Sequence, residues 1–393
     1  MIILSGPWLS SHFIETVVGN GWPLVDAGGA AELLEGSGAM LLEPGVAARD
    51  YCLRPGGRVL TSGEQALEWV TRELRGTEEA RGASLFKDKT EFRRLMKPDY
   101  PELAFRELPL AKISAYVPEP GFYPFVIKPA VGFFSIGVHT VHSPEEWHKV
   151  RAQIAFEISS ARRHFPEHML SQERLLLESF IDGEEFAVDA YFDDEGNPIV
   201  LNVLEHRFAS LQDVSDRLYV SSQQIVESIG PPAREFLVGV NRACGLTRFP
   251  LHAEFRRTAT GKLVPIEINP LRFGGWCTTG DFAYFAWGFN SYELYMRDEK
   301  PDWAAAFSGR EGNELGLIVL DNSTGIANED IEFFDYEELL AGFSKPLHLA
   351  KMDFNRFPMF GFLFAEIAPG QQEEFRQVLE NDLSGLIRTR SGQ

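Results

Sequence analysis

At 393 residues the chain exceeds what one compact core holds, so two or three domains are expected. Its 44% hydrophobic and 24% charged residues are those of a soluble globular protein, and no stretch reaches the roughly 20 apolar residues of a membrane helix. The formal net charge of −20 argues against unassisted binding to nucleic acid or anionic lipid, while leaving room for a local basic pocket for phosphates.

Cys52, Cys244 and Cys277 lie far apart and match no zinc or disulfide spacing, so a reducing cytoplasm is the expected location. The opening MIILSGPW has neither the basic n-region nor the long apolar run of a signal peptide. The chain contains no internal repeat and no low-complexity tract.

Residues 1–83 form the first expected unit. Short apolar strands at 1–4, 24–25, 39–42 and 58–60 alternate with helices at 8–18 and from 61 to 74, the pattern of a small α/β layer with a parallel sheet. Ser5-Gly6-Pro7 follows the first strand, but no GxGxxG accompanies it and Pro7 removes a backbone donor. It reads as a structural turn.

Residues 84–305 form the second unit. It begins with a helix whose core stripe is Phe92, Leu95 and Met96 and which ends at Pro98. Lys87 and Lys89 at its start read, by themselves, as solvated lysines. An apolar strand then ends at Lys128, followed by a loop with Gly132, Ser135 and Gly137 and a second strand at 137–141. Glycines let backbone N–H groups approach an anion, and a neighbouring lysine adds a point charge. The pattern is neither a P-loop nor GxGxxG, so a plain glycine hairpin with an exposed lysine is the alternative. Ser143-Pro144-Glu145-Glu146 starts the next helix, with a Ser cap and Pro at the first position. His142, His148, His164 and His168 nearby fit no single metal face and read as surface residues.

Three strands follow at 175–180, 185–192 and 198–204, with Glu178 and Glu185 flanking the first turn. Most glutamates near turns are merely exposed, and that reading stands beside any functional one. Residues 251–275, LHAEFRRTATGKLVPIEINPLRFGG, read as a hairpin. On its strands His252, Glu254 and Arg256, then Glu267 and Asn269, alternate with apolar residues and share one face. A turn centred on Thr260-Gly261 sets Glu254 opposite Glu267. Two facing carboxylates repel unless a cation separates them, and a hard divalent ion suits them, with Asn269 as a third oxygen donor. The alternative is a solvated polar face with Arg256 as counter-charge.

The last unit, residues 312–393, reads as a separate small α+β unit. Its expected strands lie at 315–320, 347–354 and 359–367, and its helices at 336–343 and 371–386. Residues from Asn322 to Glu332 read as a loop.

Three features now stand in one order: a lysine before a glycine loop, a Glu-x-x-x-x-x-x-Glu segment across a turn, and a hairpin carrying Glu and then Glu-x-Asn. That order resembles the ATP-grasp superfamily, over residues 84–300. The resemblance implies an ATP-grasp fold, α/β plus α+β, flanked by the small N-terminal and C-terminal units. It implies ATP and Mg²⁺ as cofactors, with Mn²⁺ as a substitute. Lys128 and Lys89 look like the two phosphate lysines, and Gly132, Ser135 and Gly137 like the loop that closes over the phosphates. Glu178, Ser179, Phe180 and Ile181 look like the adenine hinge and Glu185 like the ribose acceptor. Glu254, Glu267 and Asn269 look like the metal ligands. Arg217 looks like the basic residue directed at the γ-phosphate. Many members carry arginine directly after Asn-Pro; here Leu271 intervenes, so Arg272 faces the acyl phosphate, binds the substrate carboxylate or pairs with a loop carbonyl. His206 and Arg207 are substrate-pocket candidates, whereas His252 reads as a satisfied strand histidine.

The chemistry this implies is ADP-forming ligation. A carboxylate is activated as an acyl phosphate and an amine then displaces phosphate. A different ATP-dependent enzyme on the same fold and a non-catalytic nucleotide-binding protein are the alternatives. The partners expected are small carboxylates and amines, not nucleic acid or membrane, and a homodimer is the default assembly.

Overall fold

The computed structural model describes residues 1–52, 54, 56–131, 137–161, 171–210 and 215–390. Gly132, Ser135, His164 and His168 lie outside them. The N-terminal unit holds β1 (Ile2–Leu4), α1 (Ser11–Gly19), β2 (Leu24–Asp26), α2 (Pro44–Cys52), β3 (Leu60–Thr61) and α3 (Glu64–Glu73). Its three strands form a parallel sheet in the order β2-β1-β3, as the alternation of strand and helix predicts. The expected strand at 39–42 is reduced to a single bridge from Leu41 to Leu24, and α2 takes the stretch after it.

Two helices, α4 (Glu78–Lys87) and α5 (Lys89–Met96), lead into a four-stranded antiparallel sheet. That sheet contains β4 (Phe105–Pro109), β5 (Phe125–Val131), β6 (His139–Val141), then α6 (Pro144–Ala161) and β7 (Ser171–Ser179), in the order β4-β7-β5-β6. Its core is Phe125, Ile127, Leu175 and Leu177 with Trp147 and Ile154 of α6. Asp88 joins the two helices by capping α5, accepting from Thr90 N at 2.9 Å and Glu91 N at 3.2 Å. Arg174 of β7 ion-pairs with the same carboxylate, which ties the helix start to the sheet.

The large sheet begins with β8 (Glu184–Phe192), β9 (Pro198–Arg207) and β10 (Leu218–Ser221). After the long helix α7 (Gln223–Cys244) it adds β11 (Phe249–Arg257) and β12 (Leu263–Pro270). Helix α7 was not legible in the sequence because Pro231 and Pro232 sit inside it. Its Ser222 cap and its buried stripe of Val226, Ile229, Ala233, Leu237 and Val240 hold it together nonetheless. Short α8 (Thr278–Phe282) runs into a π-helical turn over Ala283–Trp287.

The C-terminal segment corrects the expectation of a separate unit. It supplies β13 (Glu314–Asp321), β14 (Ile331–Phe334), β15 (Pro346–Lys351), β16 (Met359–Ile367) and β17 (Ile387–Thr389). Strands β13, β15 and β16 continue the large sheet, whose order is β12-β11-β8-β9-β10-β13-β16-β15. The join is β10 against β13, antiparallel from Leu218↔Ile318 to Ser221↔Leu315. Only β14 and β17 pair apart from it, and β14 occupies part of the expected loop. No helix among the described residues is long and apolar enough to cross a membrane.

Candidate active site

The site is built on one face of the large sheet at its β12 edge. Glu254 pairs with Glu267 and His252 with Asn269, so the facing carboxylates anticipated from the sequence are present. The route to that register differs from a plain hairpin. Near the turn, Arg257 faces Leu263 and Phe255 faces Pro265, a register that would set Glu254 opposite Ile266 and turn Glu267 to the other face. A bulge between Glu254 and Phe255 absorbs Ile266 and brings Glu267 back. Arg93 of α5 holds the bulge, donating to Pro265 O at 2.7 Å and Ile266 O at 2.9 Å.

The charges at the site are cross-linked. Lys89 Nζ lies 3.0 Å from Glu267 Oε2, and Lys128 Nζ lies 2.7 Å from Glu178 Oε1. Arg93, besides holding the bulge, ion-pairs with the other oxygen of Glu178. Burial alone would raise the pKa of Glu178, but Arg93 and Lys128 outweigh it and hold the carboxyl at about 2. Burial likewise opposes ionisation of Glu267, and Lys89 and Lys128 overcome it, leaving that carboxyl at about 2. Glu254 goes the other way: burial, then Glu267, Glu185 and Asp216, push it well above the usual carboxylate range. Among the described residues no lysine or arginine reaches ion-pair distance of Glu254, whose nearest basic group is His252 Nε2 at 3.8 Å.

Asn269 stands between the two carboxylates. Its Nδ2 donates to Glu254 Oε1 and to Glu267 Oε1, both at 3.2 Å, while its Oδ1 accepts from Arg272 Nη2 at 2.9 Å. A rotation of the amide would present Oδ1 to the carboxylate side, and the set would then be three oxygen donors. No group of three or more His, Cys, Asp or Glu able to hold a metal occurs among the described residues. Two carboxylates and an amide oxygen suit a hard cation that keeps other oxygen ligands.

The residue that displaced Arg272 from its expected place has a definite conformation. Leu271 adopts φ +58 and is fully buried, and its carbonyl accepts from Thr61 N at 2.7 Å. This left-handed step returns Arg272 to the cluster, against Asn269. Beyond it Gly274 closes on His252: a Cβ there would lie 2.5 Å from the imidazole Cε1. His252 Nδ1 is 2.7 Å from Asp189 Oδ1, which also accepts from Gly274 N at 3.2 Å. His252 is thus a satisfied strand histidine, as the sequence suggested, and Asp189 is its partner.

The nucleotide-side candidates separate into two groups. Lys89, Lys128 and Glu178 converge on the carboxylates, and Gly137 takes φ +72 just before β6. In the hinge, Ser179 N donates to Ala104 O at 2.9 Å, Phe180 N to Pro124 O at 3.3 Å, and Ile181 O accepts from Arg256 at 2.8 Å. Glu185 is on the same face, with Oε1 3.1 Å from His206 and Oε2 accepting from Arg256 Nε at 3.0 Å. His206 is itself enclosed, its Nε2 3.0 Å from Ser215 O and its ring stacked on Tyr219 at 4.3 Å.

Two candidates are not brought to the site. Arg207 follows His206 along β9 and so faces the opposite side, where it pairs with Glu205 at 3.0 Å and Glu314 at 2.6 Å. Arg217 is buried against the C-terminal segment, donating to Asp321 at 2.6 Å, Asn381 O at 2.7 Å and Ser323 at 2.9 Å. With its guanidinium held there it does not reach the carboxylate cluster, which corrects the γ-phosphate expectation. Arg93, Asp189 and Tyr219 were missed. For Arg93 a signal existed: it follows Lys89 by four residues, so both lie on one face of α5.

Residues 121–280 match the ATP-grasp domain family. No curated protein matches the chain. Among solved structures it is similar over its whole length to an L-amino acid ligase from Bacillus licheniformis, at 16% identity and a TM-score of 0.68, covering 98% of that chain. It is also similar to N5-carboxyaminoimidazole ribonucleotide synthetase from Thermotoga maritima, at 14% identity and 0.63, covering 100% of this chain and 99% of that one. Biotin carboxylase from Campylobacter jejuni gives 12% and 0.62, covering 99% and 92%.

Proposed function

We propose that this chain, whose residues 121–280 match the ATP-grasp domain family and whose fold is shared with an L-amino acid ligase, is an ADP-forming ligase that joins a carboxylate to an amine. The observation that carries the reading is Glu254 facing Glu267 across a bulge, with Lys89 on the second carboxylate and Lys128 next to it. Glu254, Glu267 and Asn269 would hold Mg²⁺, and two facing carboxylates, of which Glu254 is disfavoured as an anion by its low-dielectric setting and then by Glu267, suit a divalent cation between them. The ion supplies charge neutralisation to the ATP phosphates. Lys89 and Lys128 add fixed positive charge on the phosphate side. Phe180, Ile181 and Glu185 would read adenine and ribose.

In the reaction a carboxylate oxygen of the substrate attacks the γ-phosphorus and ADP leaves. The amine nitrogen then attacks the acyl carbon, loses a proton and displaces phosphate. Arg272, beside Asn269, orients the carboxylate. No enzyme nucleophile is required. The relatives in structure include an L-amino acid ligase, which supports an amide-forming reaction on small molecules. The test is turnover of ATP with Mg²⁺ against pools of amino acids and small carboxylic acids, resolving ADP from AMP. ADP and phosphate that appear only with a particular pool are expected; AMP and pyrophosphate would contradict the acyl-phosphate route.

A further inference from the structure

The ligase reading leaves the carboxylate substrate unnamed, and one set of residues bears on it. Glu64, the first residue of α3, extends from the N-terminal unit toward Asn269 and Arg272. Its Oε1 lies 3.4 Å from Lys87 Nζ and its Oε2 lies 3.8 Å from Arg272 Nε. Both distances are long against the roughly 2.7–2.9 Å of charge-assisted hydrogen bonds. Arg272 Nε is buried and donates to no acceptor. Glu64, Lys87, Lys89, Glu267 and Asn269 line one cavity.

Ser5 stands next to Gly63, the residue before Glu64. Ser5, 1% exposed, keeps a buried Oγ without a hydrogen-bond partner. A side chain on Gly63 would begin 2.9 Å from that hydroxyl and 3.7 Å from Trp276, so glycine at 63 keeps the space between them open. These strand ends are the carboxyl edge of a parallel sheet, where open α/β sheets seat their ligands.

Glu64 and Lys87 line the cavity beside the Lys89–Glu267 pair, and Arg272 stands 3.8 Å from Glu64, so two cations flank one anion next to the metal ligands, each loosely partnered by the others. A ligand with a carboxylate and an ammonium matches all three charges. Resting on the ligase reading, we propose that the acyl donor is a free amino acid: Arg272 and Lys87 take its carboxylate and Glu64 takes its ammonium. The carboxylate then lies beside Asn269, where activation is read to occur. An ammonium held by Glu64 is kept from acting as the nucleophile, so the amine that is joined comes from a second molecule.

The test pairs amino acids with their des-amino analogues, alanine with propionate and phenylalanine with 3-phenylpropionate, using Mg·ATP and hydroxylamine as acceptor and reading hydroxamate. The expected result is that the wild type favours the amino acid of a pair at least tenfold in kcat/KM. E64Q is expected to shrink that preference at least tenfold. K87M is expected to lower both members of a pair by a similar factor and so preserve the ratio. An unchanged ratio in E64Q, or hydroxamate from the des-amino acids alone, would overturn the proposal while the ligase reading stands. Mg²⁺-dependent ATP binding by calorimetry with no hydroxamate from any amino acid overturns it as well. Loss of ATP binding altogether would remove the ligase reading, and the proposal with it.

Discussion

The β12 edge of the large sheet and the seam where β10 meets β13 carry the same residue types and use them differently. Around β10 and β13 each arginine is enclosed by matched acceptors: Arg217 by Asp321, Ser323 and Asn381, and Arg207 by Glu205 and Glu314. Around β11 and β12 the charges are shared out unevenly. Glu267 and Glu178 have cations, Glu254 has no lysine or arginine among the described residues, and Glu64 holds two cations at a distance. The first arrangement is complete without a ligand and reads as structure. The second leaves the Glu254 carboxylate, whose side chain is 30% exposed, without a lysine or arginine partner among the described residues, a place that suits an added cation. The difference lies in whether the charges close on themselves, not in how many there are.

The largest expected effect tests that distinction at its centre. Glu267→Gln should lower Mg²⁺-dependent ATP turnover by about a hundredfold or more while the circular dichroism spectrum stays that of the wild type. Full turnover would remove the metal assignment. Next, Arg93→Met should lower stability by about 3–5 kcal/mol, because it strips Glu178 of a buried partner and frees the bulge. Denaturant titration measures this, and a loss under 1 kcal/mol would count against Arg93 as the residue that ties α5 to both sheets.

A third prediction concerns pH. Asp281 of α8 is buried against the hydroxyls of Tyr292 and Ser10, and burial pushes its carboxyl up to about 7. A raised acid contributes stability fully below its ordinary pKa near 4 and loses it as pH rises through the folded value. Between pH 5 and 8 the wild type should therefore lose a few kcal/mol that Asp281→Asn keeps, visible as a thermal midpoint that falls less in the variant. Parallel curves would show that Asp281 does not titrate in this window. The smallest effect belongs to the closed seam: Arg207→Met should cost about 1 kcal/mol of stability and leave the KM for ATP within about twofold. A large change in KM would return Arg207 to the site.

Much of the site was legible because its residues alternate along strands. Glu254, Glu267 and Asn269 follow from a period of two and a turn, and Lys128 from a strand that ends at a loop. What was not legible depends on contacts distant in sequence. The turn fixes a register one residue away from the working one, and the correcting bulge is held by Arg93, more than 170 residues upstream of the carbonyls it binds. Arg217 looked catalytic because its partners are supplied by segments 104 and 164 residues later. The direction of Arg272 turned on one backbone angle at Leu271, which no side-chain pattern encodes.

The pairing of β10 with β13 has a bearing on modularity. A chain cut between Arg297 and Glu314 would look, on paper, like an intact nucleotide-binding module. In fact it would bare Leu218–Ser221 as an open strand and expose Leu218 and Val220, both buried against the C-terminal core. Such an edge invites self-association. The tail of this protein is accordingly not an accessory that can be trimmed or exchanged by itself. Any graft that replaces it has to bring along a strand able to dock on β10, and recombination between relatives is constrained at that seam.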